Sequence, residues 1–329
     1  MNANIFPSKF INSKWSRFAA SGNITTPYIN NLDLKSKKIF CIGSCFAEEI
    51  RLALEKQNIE VYPNFSNIKA DSQLCRLDEL PERHHMNYYN VYSIERELKK
   101  ASSLNHEDTA SNLWCLENLT YKAGWRIAKR IKENNDKPLY LDPYRRLCFS
   151  SSLDYFVDLV ESVDNAFQEA FQVSNLFVIT LGMSEVFIDR ETKIPLNQLP
   201  ATAPHFPPGR EPLFQCLTEE KVYQSLKNIH QLITNKHTPA KLLITVSPVP
   251  LNRTFRKNMD VVSANAFSKA VNLSAVSRLL QENHANVHYF PSYEFVSLPD
   301  QTNFMEDFQH VNRAKVENII ESFLEASSL

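Results

Sequence analysis

Three residues of this chain have the types and the placing for nucleophilic acyl chemistry: Ser44, Asp307 and His310. Ser44 follows Lys38-Ile39-Phe40-Cys41-Ile42-Gly43, an apolar, β-favouring run closed by a glycine that permits a sharp reversal. Beyond it Phe46, Ile50, Ala53 and Leu54 take up helical spacing. Ser44 is therefore expected at or near the N-cap of a helix fed directly by a strand. Unpaired backbone N–H groups lie there, with the positive end of the helix dipole behind them. An alkoxide or a tetrahedral oxyanion would be stabilised at such a place. The ordinary use of a serine before a helix is simply to cap it, and the stretch alone is compatible with both.

A serine needs a base within hydrogen-bond reach, and the base needs an orienting group. Glu306-Asp307-Phe308-Gln309-His310, just before the last helix, offers both. Three residues apart in a turn, Asp307 can meet the imidazole of His310, fix its tautomer and stabilise the imidazolium. A lone D-x-x-H is equally compatible with a helix-entering aspartate and a surface histidine. Its tie to Ser44 is that both fall on loops at the same edge of the expected sheet. Donors for an oxyanion are the backbone N–H of Ser44 and the stretch Gly182-Met183-Ser184-Glu185, where Gly182 allows close approach and Ser184 adds a hydroxyl. Asn64 and Asn90 are further amide candidates, although turn duty is the usual role of each of these residue types. Cys45 is a rival nucleophile, because a helix N-terminus activates a thiol. One step inside the helix it is expected to point at neighbouring structure, as a small buried hydrophobe.

The elements that must hold these residues alternate. A strand and helix over roughly 38–57 are followed by a short strand from Ile59 to Tyr62 and a loop, Pro63-Asn64-Phe65-Ser66-Asn67. Ser93 is expected to cap a helix from Ile94 to Ala101. Residues 70–150, with Trp114, Trp125 and a basic run from Arg126 to Lys132, read as a helical insertion covering one end of the main sheet. A helix over about 154–172 then leads into the apolar strand Leu176–Leu181, ending at Gly182. After a Pro-rich loop at 195–212 come a helix carrying Val222, Leu226, Ile229 and Ile233, a strand from Leu242 to Val246, a long helix at about 263–284, a strand from Val287 to Phe290 and a last helix from near Asn312. Such alternation predicts an α/β fold with a parallel sheet, whose ligands bind beyond the carboxyl ends of the strands. Residues 1–35 read as an N-terminal arm pinned by Trp15 and Phe18, and 36–329 as one domain.

Composition narrows the partners. A net charge of −1 in 329 residues gives no basic footprint for nucleic acid. The six cysteines form no CxxC pair and no zinc-like spacing with histidine. No signal peptide is expected in the polar first 25 residues, and no apolar run reaches membrane-spanning length. The expectation is a cytoplasmic protein with reduced cysteines, and none of the chemistries considered needs a metal or cofactor.

Gly43-Ser44-Cys45-Phe46-Ala47 is the signature of the GSCFA family, which this sequence resembles and which is itself similar to the SGNH (GDSL-like) hydrolases. Pro63-Asn64-Phe65, Tyr89-Asn90-Val91-Tyr92-Ser93-Ile94, Thr180-Leu181-Gly182 with Glu185-Val186, Thr245-Val246-Ser247-Pro248-Val249, Asn265 to Ala270 and Tyr289 to Glu294 resemble further blocks, in order over roughly 38–325. The resemblance implies a three-layer α/β/α sandwich with a flavodoxin-like parallel sheet, Ser44 as nucleophile and Asp307–His310 completing a triad. It implies an esterase acting on an O-acylated carbohydrate or small ester, or an O-acyltransferase that uses the same triad with a sugar hydroxyl as acceptor. This sequence departs from the pattern at Ser184, where SGNH enzymes carry Asn, at Ser66, where the family commonly has Gly, and at Val311, where it usually has Pro. The first two departures touch the oxyanion donors and motivate a third reading, a non-catalytic carbohydrate-binding protein with Tyr88, Tyr89 and Tyr92 as its stacking platform.

Overall fold

Ile39–Gly43 (β1) is buried along its whole length. Its side chains divide between two cores, Ile39 and Cys41 in one, Phe40 and Ile42 in the other. The same division holds for Leu176–Leu181 (β7) and Lys241–Val246 (β11). A strand inside a sheet covered on both faces requires such apolar runs. In the computed structural model the described residues are 32–77, 80, 85–103, 109–116, 138–146, 148–197, 209–236, 239–297, 303–306 and 310–328. Residues 1–31 of the expected arm, with Trp15 and Phe18, the basic run with Trp125, most of the Pro-rich loop and Asp307 lie outside them.

With Val61–Tyr62 (β2) and Val287–Phe290 (β12), these strands form one five-stranded sheet in the order β12-β11-β7-β1-β2, every neighbour pair parallel. Numbered by their own sequence, the strands run 2-1-3-4-5, the doubly wound order of flavodoxin. One face is covered by Cys45–Lys56 (α1), Ser292–Ser297 (α7) and Arg313–Ser328 (α8). The other carries Val91–Ser102 (α2), Leu153–Val173 (α4), Glu219–Thr234 (α5) and Val261–Gln281 (α6); between α2 and α4 lies the four-residue helix Thr109–Asn112 (α3). The chain reverses direction of strand addition between β1 and β7, so the switch point where such sheets bind ligands lies at Gly43-Ser44 and Gly182.

Two expectations need correcting. Helix α2 starts at Val91 and is capped by Asn90, whose Oδ1 accepts from the Ser93 N–H at 2.9 Å. Ser93 therefore sits inside the first turn and is the receiver of the cap. The insertion is not helical throughout: Cys75–Leu77 (β3), Trp114–Leu116 (β4), Leu139–Asp142 (β5) and Cys148–Ser150 (β6) build an antiparallel sheet in the order β3-β6-β5-β4. A second small antiparallel sheet joins Glu185–Ile188 (β8) to Pro195–Leu196 (β9) and Leu213–Cys216 (β10). Trp114, Leu139, Leu141, Phe149, Phe187 and Leu196 share one core, which locks the two small sheets together.

A buried ion network fastens the insertion to the main body. Arg145, between β5 and β6, donates to Glu97 of α2 and to Asp164 of α4, the latter at 2.6 Å. The Tyr88 hydroxyl donates to Glu97 at 2.6 Å, and Lys100 reaches Asp164 at 2.7 Å. Burial works to raise both carboxyl pKa values, but the Arg145 guanidinium and the Lys100 ammonium together outweigh it and hold them below the usual carboxylate range. Removing the cation strands buried negative charge. Arg145→Met should therefore cost about 3–5 kcal/mol of stability in urea denaturation; a loss under about 1 kcal/mol, the scale of an exposed pair, would contradict this account.

Candidate functional site

Gly43 carries φ +144, and a Cβ there would lie 2.3 Å from the Thr180 carbonyl oxygen. Only glycine lets β1 run this close to β7 at its last residue. The approach delivers Ser44 onto Thr180. The Ser44 N–H donates to Thr180 Oγ1 at 2.9 Å, and the two hydroxyls are 3.1 Å apart. Ser44 occupies the N-cap position of α1 with extended backbone, yet its side chain makes no capping hydrogen bond. The hydroxyl is thus left for another use, at the positive end of a 12-residue helix.

The loops at the carboxyl end of the sheet enclose a cavity of about 580 Å³. Ser44, Cys45, Gly182 and Met183 line it, together with the stretch from Ser247 to Arg253 and His310. Ser44 and His310 are thereby brought to one cavity, although 266 positions separate them in the chain (310 − 44). His310 is exposed at the rim. It is set there by an antiparallel bridge between Phe304 and Val311, with Met305 N donating to His310 O at 2.8 Å. Gly182 also lines the cavity; a Cβ on it would sit 2.6 Å from the Tyr89 carbonyl oxygen and 3.5 Å from Ser44 Cβ.

Other expected donors are placed elsewhere. Asn64 is exposed and forms an Asx turn, its Oδ1 accepting from Ser66 N at 2.9 Å. Asn90 is the cap of α2. Ser184 is fully buried away from the cavity, its N–H donating to Ser268 Oγ at 2.5 Å and its Oγ accepting from Arg256 at 3.3 Å. The Ser44 N–H, expected as an oxyanion donor, is engaged by Thr180 in this state. Cys45 is among the residues that line the cavity and is part-buried. Burial nevertheless raises its thiol pKa, despite the opposing field of Lys269, so the thiolate is disfavoured.

Several cavity residues gave no signal of their own in the sequence. Asn87 bridges to Gly43, and Asn197 binds the 87–89 segment by donating to Asn87 O at 2.6 Å and accepting from Tyr89 N at 3.3 Å. Arg146 and Arg253 bring positive charge to the walls. Among the described lining residues the one carboxylate, Glu49, is held by Arg313 at 2.7 Å. Beneath the floor lies Lys269, buried on α6. Its Nζ donates to Ser247 O at 2.7 Å, Val249 O at 2.8 Å and Gly182 O at 3.2 Å, tying the loops after β7 and β11 together.

Burial lowers the Lys269 pKa from 10.5 to about 7. Between those values the unfolded chain binds a proton that the folded chain does not, so stability rises with pH across that window. Wild-type protein should therefore gain stability from pH 7 to pH 10 relative to Lys269→Met, measured by denaturation at each pH. A parallel pH dependence of the two proteins would contradict the placement of Lys269.

The model of the GSCFA family matches residues 38–323 of the chain. None of the curated proteins searched matches it. Among the described residues, no helix is long and apolar enough to cross a membrane.

Proposed function

The chain belongs to the GSCFA family, and from that premise we propose that it is a serine-dependent acyl-ester hydrolase of SGNH-like type, acting on an O-acylated carbohydrate or small ester. The observation that carries this reading is the shared cavity of Ser44 and His310 at the switch point of the sheet, with the Ser44 hydroxyl not spent on capping its helix. Ser44 Oγ attacks the ester carbonyl carbon while His310 takes its proton. The tetrahedral intermediate collapses, the C–O bond to the alcohol breaks, and His310 returns the proton to the leaving alkoxide. Water then attacks the acyl-enzyme, His310 accepts its proton, and the acid departs as Ser44 regains its hydrogen. Asp307 is assigned the orienting role by the D-x-x-H spacing. Gly182 and Asn87 are the groups at hand on the cavity wall for the developing oxyanion.

Hydrolysis of p-nitrophenyl acetate and butyrate tests this reading. Ser44→Ala and His310→Ala should each lower kcat/KM by about a thousandfold or more, with the folded state unchanged by circular dichroism. Undiminished turnover in Ser44→Ala would refute the assignment. With a carbohydrate acceptor present, acylated sugar as product would redirect the chemistry to transfer, whereas free acid alone supports hydrolysis.

A further inference from the structure

A second cavity, also of about 580 Å³, is lined by α2, α5 and the segment from Lys193 to Pro195 that enters β9. Its lining neighbours that of the Ser44 cavity along the chain: Tyr89 and Asn197 line the first, and Tyr92, Ile194 and Pro195 the second. Its charge is far from that of the chain as a whole. Arg96, Lys99, Lys100, Lys193 and Lys221 line it. Against them, among the described lining residues, stand Glu95 and Glu220, and both are already engaged, Glu95 by Lys99 and by Asn228 at 2.8 Å, Glu220 by Arg278 and by Gln224 at 2.7 Å. Lys100 is balanced by Asp164. Lys193 and Lys221 meet only neutral oxygens, the Arg190 carbonyl and the Gln215 amide.

We infer that this groove binds the anionic stretch of an acidic glycan chain whose ester is presented to Ser44. The length of the groove argues for a chain. Its lining on α2 runs from Tyr92 to Lys100, about 12 Å of helix at 1.5 Å per residue, and goes on to Ser103 at the C-cap, more than one carboxylate or phosphate can fill. Lys193, before β9, and Lys221, on α5, place cations on two separate walls of the groove, which suits repeated anions. Gln224, Ser225 and Asn228 add amides and a hydroxyl suited to sugar hydroxyls. A single-stranded nucleic acid asks for successive stacking faces, and among the described lining residues Tyr92 is the one aromatic side chain. Arg253 also lies on the wall of the Ser44 cavity, where Glu49 is taken by Arg313. Presentation of an ester rests on the hydrolase reading above; binding in the groove does not.

The test uses full-length Ser44→Ala protein and fluorescence anisotropy with a labelled polyuronate oligomer. Tight binding that weakens with added salt is expected. Adding Lys193→Gln and Lys221→Gln should weaken it about tenfold, the scale of two exposed ionic contacts. In a Ser44 background the same pair of changes should leave cleavage of p-nitrophenyl acetate intact, which shows that the fold survives. Equal affinity with and without the two lysines overturns the proposal. So does equal affinity for a neutral glucan of the same length, or tighter binding of a single-stranded oligonucleotide of matched charge. Polyuronate binding that persists while no ester is cleaved by the Ser44 protein would sink the hydrolase reading and leave the groove standing.

Discussion

The contact between Gly43 and Thr180 is the constraint on which the site depends. A glycine at the end of β1 brings the backbone against β7 at a distance no side chain would allow. The Thr180 hydroxyl then takes both the N–H and the hydroxyl of Ser44 as partners. The serine is fixed at a helix N-terminus without acting as the cap. Helix-starting serines normally satisfy a backbone donor; here a neighbouring strand supplies the partner, and the hydroxyl stays at the switch point of the sheet.

The surrounding loops are held in the same way, by buried polar groups reaching across elements. Lys269 ties three carbonyls of two loops. Glu185 accepts from Thr254 Oγ1 at 2.6 Å, from Phe255 N at 3.1 Å and from Arg256 at 3.1 Å, which fixes the segment carrying Asn252 and Arg253 to the cavity rim. Asn197 binds the 87–89 segment. Each group is buried and multiply bonded, so losing one leaves unsatisfied partners rather than a small void. Loops pinned in this way give a cavity of defined shape beside the exposed His310.

Much of the fold was legible because the central strands are buried on both faces and read as unbroken apolar runs. β1, β7, β11 and β12, and the amphipathic helices α4, α5 and α8, follow from such patterns. The small sheets were not legible. Strands of two to four residues are too short to display a period, and β3 pairs with β6 across more than seventy positions. The start of α2 was misjudged because Asn90 and Ser93 are both good caps; the first of them wins by accepting from the second. At the site, Ser44, Gly182 and His310 carried local signals, a strand–turn–helix junction, a glycine after a strand and a D-x-x-H turn. Ser184 carried one too and is buried elsewhere. Asn87, Asn197, Arg146, Arg253 and Lys269 became visible only through tertiary contacts between distant loops.

An electrophile that reports on nucleophilicity probes this arrangement most directly. After incubation with a fluorophosphonate, the intact mass and the tryptic peptide spanning residues 39–51 should show one covalent adduct, carried by Ser44 and absent from His310→Ala protein. No adduct, or an adduct carried by Cys45, would contradict the account of Ser44 as the activated nucleophile.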